Sequence, residues 1–183
     1  MYSACDIAKY VIILANKYND EITQLKLQKL LYYVQGTYLG AGGYAVFDDE
    51  MLAWKHGPVV HAVWQQYKDC GKEQLQADVS DISLEPFDKE IIEEIYKRYR
   101  TFTTKELVDK THSETPWINA RDDNDIITKE SIKDYFSENV FSYEQVFGNI
   151  PIVDVLPAED YDPDEDSWYD EWKEQRVNDR KAV

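Results

Sequence analysis

The chain has little cysteine and no long apolar run. Cys5 and Cys70 are its only cysteines and form no CxxC pair, which argues against a disulfide framework or a zinc site. The longest wholly apolar stretch runs only from Val11 to Ala15, too short to span a bilayer. The N-terminus lacks the basic and apolar regions of a secretion signal. These features predict a cytoplasmic protein.

Positive charge is also scarce. Lys and Arg number 20 against 36 Asp and Glu, which gives a formal net charge of -16. A charge of this sign repels phosphate backbones, so we do not expect nucleic-acid binding through a basic face. It favours a basic protein partner or mimicry of nucleic acid, although solubility alone also accounts for it.

Apolar residues recur at helical spacing through most of the first 140 residues. Ser3 and Thr23 are typical N-caps, and each precedes an apolar stripe. A third helix is predicted after Gly57-Pro58, and a fourth from about Phe87 to Tyr99. Further helical segments are predicted after Thr103 or Thr104, at Pro116-Trp117, and after Thr128. The predicted fold is mainly α, a compact domain of about six helices with at most a small hairpin.

Two glycine-containing segments divide these helices. The run Gly40-Ala41-Gly42-Gly43 is expected to end the second helix. Residues 44–54 are rich in β-branched and aromatic residues, which predicts a short hairpin or extended excursion turning at Asp48-Asp49. Gly57-Pro58 is expected to open the third helix, because proline suits the first helical position.

Composition divides the chain into three parts, a helical domain at 1–140, a docked connecting segment at 141–156, and a tail at 157–183. The tail carries ten acidic residues against four basic ones and includes four aromatic residues, which is unusual for a purely solvating segment. Three of these aromatic residues, Trp168, Tyr169 and Trp172, lie close together in the sequence.

No convincing catalytic or metal-binding constellation is visible. The three histidines, His56, His61 and His112, lack an HExxH pattern or a nearby cysteine pair and are interpreted as structural. The acidic clusters at 48–50 and 122–125 lack the glycine of a calcium loop and are interpreted as exposed turns. Pro163-Asp164 and 171–173 superficially match the PD…ExK pattern of metal-dependent nucleases, but they lie in the charged tail. We therefore expect no enzyme activity, no metal and no cofactor.

Three segments resemble one known family. The segment at 22–33, ITQLKLQKLLYY, is close to the most recognisable helix of the Panacea domain family, which includes SocA-like antitoxins and phage-associated GepA-type proteins. The resemblance continues at 53–60, AWKHGPVV, and at 111–117, THSETPW. His56 replaces the tyrosine that the family usually has before Gly-Pro, which leaves the fold assignment intact.

The resemblance implies a helical domain of bacteria and prophages that neutralises a toxin by direct contact. The first alternative is a phage-encoded, anti-CRISPR-type inhibitor of a host defence nuclease that uses an acidic, nucleic-acid-mimicking surface. The other alternative functions are a nuclease and a proteolytic adapter. A homodimer is compatible with the sequence. The expected partner-binding residues come from the second motif and the tail: Trp54, His56, Gly57, Pro58, Asp160, Asp162, Asp164, Glu165, Asp166, Trp168, Tyr169 and Trp172.

Overall fold

The computed structural model describes residues 1–77, 82–121 and 126–139. This part of the chain forms seven α-helices and one two-stranded antiparallel hairpin, which confirms the predicted mainly helical fold. The helices are α1 (Ala4–Tyr18), α2 (Gln24–Thr37), α3 (His61–Tyr67), α4 (Pro86–Tyr99), α5 (Thr104–His112), α6 (Thr115–Ala120) and α7 (Lys129–Asn139), and the strands are β1 (Met51–Trp54) and β2 (Gly57–Val60).

The predicted starts of α1, α2, α5 and α7 agree with the structure. The Ser3 and Thr23 side chains accept hydrogen bonds from backbone N–H groups of the first turns of α1 and α2. Thr103 and Glu106 form a reciprocal capping box at α5, and Thr128 accepts from the Ser131 N–H at the start of α7. These bonds satisfy N–H groups that the first turn of a helix leaves unpaired.

Helix α2 is the centre of the fold. The sequence predicts an apolar stripe along it, and the structure buries every residue from Leu27 to Leu39, including polar ones. Helices α1, α4, α5 and α7 and strand β2 all pack against it. A helix surrounded in this way must satisfy its polar side chains internally.

The glycine run after α2 differs from the prediction. The helix continues as a π-helical turn through Tyr38–Gly42 and ends at Gly43, which has a left-handed backbone with φ 74°. A Cβ on Gly36 or Gly40 would lie 2.3–2.6 Å from atoms of Phe136. The small residues are therefore needed for the close approach of α7, while Gly43 alone ends the helix.

The prediction for the hairpin and the third helix was wrong in position. The strands pair Met51 with Val60 and Trp54 with Gly57, so the turn is Lys55-His56 and not Asp48-Asp49. Gly57 has φ +98°, a backbone angle incompatible with a helix start, and Pro58 follows it within β2. Helix α3 consequently begins at His61, four residues later than Gly57 would place it.

The regions 141–156 and 157–183 and the acidic cluster at 122–125 lie outside the described residues, so their predictions remain untested. Among the helices that the structure does describe, none has the length and apolar character needed to cross a membrane.

Candidate partner-binding site

The three segments that carry the family resemblance meet at the hairpin turn. From the first, Lys29 Nζ donates to the Pro58 carbonyl oxygen at 2.9 Å. From the third, Trp117 Nε1 donates to the Trp54 carbonyl oxygen at 2.9 Å. Both ends of the turn at Lys55-His56 are thus held by side chains from distant parts of the sequence.

Lys29 is wholly buried beneath this turn. Burial disfavours the ammonium form and holds the pKa of Lys29 well below its usual value. The side chain is closed to solvent, and its amine donates a hydrogen bond to the backbone of β2. Lys29 therefore positions the hairpin and does not present a reactive amine at the surface.

Gly57 makes this contact possible. A Cβ at this position would lie 2.8 Å from Lys29 Nζ and 2.8 Å from Thr111 Oγ1. Such distances are shorter than van der Waals contact, and φ +98° also disfavours any residue with a Cβ. Glycine is thus required at position 57 for two reasons, the positive φ angle and the close packing of β2 on α2 and α5.

Glutamines of α2 bind the backbone of the segments that cross it. Gln28 Oε1 accepts from the Val60 N–H at 2.8 Å, and Gln24 Nε2 donates to the Trp64 carbonyl at 2.9 Å. Gln35 Nε2 donates to the Phe47 carbonyl at 2.9 Å. These bonds fix the hairpin and α3 relative to the central helix, because unpaired buried amides would cost free energy.

A buried carboxyl group lies beside the same cluster. Glu114 Oε1 accepts from the Tyr33 hydroxyl at 3.1 Å and lies 3.6 Å from Lys110 Nζ. Burial raises the pKa of Glu114, while hydrogen bonding to Tyr32 and the charge of Lys110 oppose that shift. The pKa values of Tyr32 and Tyr33 are raised, first by burial and then by the Glu114 charge. The carboxyl and hydroxyl groups of this cluster are therefore buried and do not act as an acid or base at the surface.

His112 stacks on Trp117, with ring centroids 4.0 Å apart and planes 14° from parallel. Burial lowers the pKa of His112 to about 4, and nearby positive charge at Lys29 and His56 acts in the same direction. The ring is therefore neutral near pH 7 and serves as a packing surface for the tryptophan.

Aromatic rings also cover the outer side of the hairpin. Trp54 and Trp64 make an edge contact with centroids 5.1 Å apart, and His61 stacks on Trp64 at 5.8 Å. All three histidines and three of the five tryptophans of the chain therefore lie around one turn. Of these aromatic side chains, the sequence predicted only Trp54 and His56 for this site, and it missed the rings of His61, Trp64 and Trp117.

The expected partner-binding residues of the second motif differ in accessibility. Trp54 and His56 are half-buried, and Lys55 between them is exposed. Gly57 and Pro58 are buried, so their part in this turn is structural. The other expected residues, in the range 160–172, lie outside the described part of the chain.

Within residues 1–77, 82–121 and 126–139, no group of three His, Cys, Asp or Glu side chains is placed to hold a metal ion. The acids at 48–50 illustrate why. Asp48 pairs with Lys129, and Asp49 Oδ2 accepts from the Ala4 N–H at 2.9 Å, where it serves α1. Two of these three carboxylates thus have structural partners.

Comparison with known proteins gives one result. The family model described as "Antitoxin SocA-like, Panacea domain" matches residues 27–118, half of the chain. This range contains the hairpin, the Thr111–Trp117 segment and most of α2, which are the parts that meet at the turn. No curated protein and no solved structure matches the chain. The chain therefore belongs to the SocA-like antitoxin family with a Panacea domain.

Proposed function

We propose that this protein is the antitoxin of a toxin–antitoxin pair and neutralises its toxin by direct, non-catalytic protein contact in the bacterial cytoplasm. The observation that carries the proposal is the family match over residues 27–118, which includes every segment of the hairpin site. Because an antitoxin of this kind must cover a toxin's surface, a rigidly held surface turn is a suitable contact.

The hairpin turn has the features of such a contact. Trp54 and His56 are half-buried residues at a turn whose two ends are fixed by Lys29 and Trp117. Tryptophan is strongly enriched among the residues that dominate binding energy at interfaces. A preorganised aromatic turn loses little conformational entropy on binding, so its buried area is converted efficiently into affinity.

The tail supplies a second contact in this proposal. Trp168, Tyr169 and Trp172 combine aromatic anchors with surrounding acids, and a basic toxin surface complements both features. Deletion of residues 157–183 is then expected to weaken toxin binding. Unchanged affinity after this deletion would remove the tail from the proposed interface and leave the turn alone.

The net charge of -16 favours a second candidate, an inhibitor of a host defence nuclease encoded by a phage. In that role an acidic surface would occupy a channel that normally holds nucleic acid. Binding of a nuclease in competition with its nucleic acid would distinguish this candidate from an antitoxin.

The test of the proposed function is co-expression with the product of the adjacent gene. We expect that product alone to arrest growth and the pair to restore it, with the two proteins purifying as a complex. Growth arrest that this protein does not relieve would contradict the proposal.

Matched variants then locate the contact. Trp54→Ala is expected to weaken the complex about thirtyfold, the effect of losing an interface residue that contributes about 2 kcal/mol. Tyr44→Ala is the control, since Tyr44 is an aromatic residue with half of its surface exposed, away from the hairpin. Equal effects of the two changes would place the contact elsewhere.

A further inference from the structure

The segment that forms the hairpin and α3 carries a net positive charge on an acidic chain. Although the chain carries a net charge of -16, residues 51–68 contain no Asp or Glu, and they include two lysines and two histidines. Acidic residues return immediately on both sides, at Glu50 and Asp69. The segment therefore forms a locally positive region on an acidic protein.

This region is both charged and aromatic at the surface. Lys55 and His61 are exposed, and Lys68 Nζ lies 5.9 Å from the ring centroid of Trp64. Trp54 packs its edge against the same tryptophan. We call this set the hairpin face, which consists of Trp54, Lys55, His56, His61 and Lys68.

The complementary chemistry is present in the same chain. Residues 157–183 carry ten acidic side chains against four basic ones and contain two tryptophans and two tyrosines. We propose that in the free protein the hairpin face binds this C-terminal segment of its own chain. The contact pairs Lys55 and Lys68 with tail carboxylates, and the tail aromatic rings pack on the rings of the face.

The connection is long enough for this contact within one molecule. The described chain ends at Asn139, and residues 140–156 separate it from the tail. Fully extended, that connection spans at most about 55–60 Å. A domain of this size has a radius of gyration of about 14 Å, so the tail can reach any part of its surface.

This contact requires no toxin, because it forms within the free protein. Its absence would therefore leave the proposed function in place, and failure of the antitoxin role would leave this contact to be judged separately.

The test is zero-length carbodiimide cross-linking of the full-length protein at low salt, followed by peptide mass spectrometry. This reagent joins a lysine amine to a carboxylate only when the two groups are in contact. We expect cross-links from Lys55 and Lys68 to acidic residues at 159–171, in the monomer band. Cross-links of the tail to other lysines only, or to none, would overturn the proposal.

Oligomeric state decides between one chain and two. The same cross-links confined to the dimer band would overturn binding within one molecule and assign the face to the tail of a second copy. Salt is the second control: at about 1 M NaCl the screening length falls to about 3 Å. We expect the cross-link yield to fall about fivefold under this condition, as is appropriate for exposed ion pairs.

Charge reversal provides a readout that does not depend on cross-linking. The double variant Lys55→Glu/Lys68→Glu is expected to release the tail and raise the radius of gyration in X-ray scattering. Lys9→Glu/Lys133→Glu makes the same change in net charge on α1 and α7, outside the hairpin face, and is expected to leave that radius near the wild-type value. Equal radii for the two double variants would contradict the assignment of the face.

Discussion

Replacement of Gly57 by alanine tests whether the hairpin depends on its close approach to α2. The added Cβ must occupy a position 2.8 Å from both Lys29 Nζ and Thr111 Oγ1. The alanine backbone must also adopt φ +98°, an angle that residues with a Cβ rarely adopt. Gly57→Ala therefore imposes two separate costs on the folded protein.

The magnitude follows from these two costs. A non-glycine residue held in a sparsely populated backbone region costs about 1–3 kcal/mol. Relief of the clash moves the Lys29 amine away from the Pro58 carbonyl, and a buried polar group without its partner costs about 1–3 kcal/mol. We expect Gly57→Ala to lower the free energy of unfolding by about 3–4 kcal/mol.

Gly43→Ala is the matched control. Gly43 also has a positive φ, 74°, but a Cβ there would meet no atom within 4 Å. Only the backbone cost applies, and we expect a loss of about 1 kcal/mol. The difference between the two variants isolates the contact with Lys29 and Thr111.

Urea denaturation followed by circular dichroism measures both losses. With a slope of about 2 kcal/mol per molar urea, Gly57→Ala should lower the midpoint by about 1.5–2 M, and Gly43→Ala by about 0.5 M. Equal midpoints for the two variants would refute the reasoning, because the close approach would then contribute nothing to stability.

Three further predictions concern side chains whose contacts are buried or partly buried. Burial lowers the pKa of His112 to about 4 from about 6.5 in the unfolded chain, so between these values the unfolded chain binds more protons and stability rises with pH. His112→Phe keeps a ring against Trp117 and should remove about 1–2 kcal/mol of this rise, after allowance for the solvent exposure of the half-buried ring, in urea denaturation from pH 4 to 7. Arg100→Lys should cost about 1.5 kcal/mol in the same assay at pH 7, because two guanidinium bonds to Asp20, at 2.7 and 2.9 Å, cannot both be replaced. Gln28→Leu should cost about 2–3 kcal/mol by thermal or urea unfolding, because it leaves buried hairpin backbone groups unpaired.

Each of these predictions has a contradicting result. Burial raises the pKa of Glu114, so the stability that this group contributes is lost as pH rises through its pKa in the folded protein. This pH dependence is opposite in sign to that of His112. An unchanged pH slope in His112→Phe would therefore show that another group controls the acid limb. An Arg100→Lys or Gln28→Leu variant as stable as the wild type would show that the corresponding hydrogen bonds do not stabilise the fold.

Local sequence patterns predicted most of the helices of the structure. The caps at Ser3, Thr23 and Thr103 depend on hydrogen bonds within a few residues, and such bonds can be inferred from residue types alone. The periodicity of α2 also identified its core residues, although it did not show that the helix is buried on all sides. That burial depends on how many distant elements pack around it.

The hairpin was misplaced for the same physical reason. A Gly-Pro pair that precedes a helix and one that lies in a strand have the same local sequence. Here the pair lies in β2, where the Pro58 carbonyl accepts a hydrogen bond from Lys29 of α2, a contact that the local sequence does not reveal. The aromatic site shows a similar limit: Trp117 and His61 approach Trp54 only after three segments have folded together. The three family motifs identified the right segments, and long-range contacts decided their geometry.

The most direct test of the antitoxin role is purification of the tagged protein from its native host, followed by mass spectrometry of whatever binds to it in equal amount. We expect a small protein encoded by the adjacent gene, which is toxic alone and harmless in the complex. A large defence nuclease in its place, or no bound protein under conditions where the neighbouring product is made, would contradict the antitoxin role.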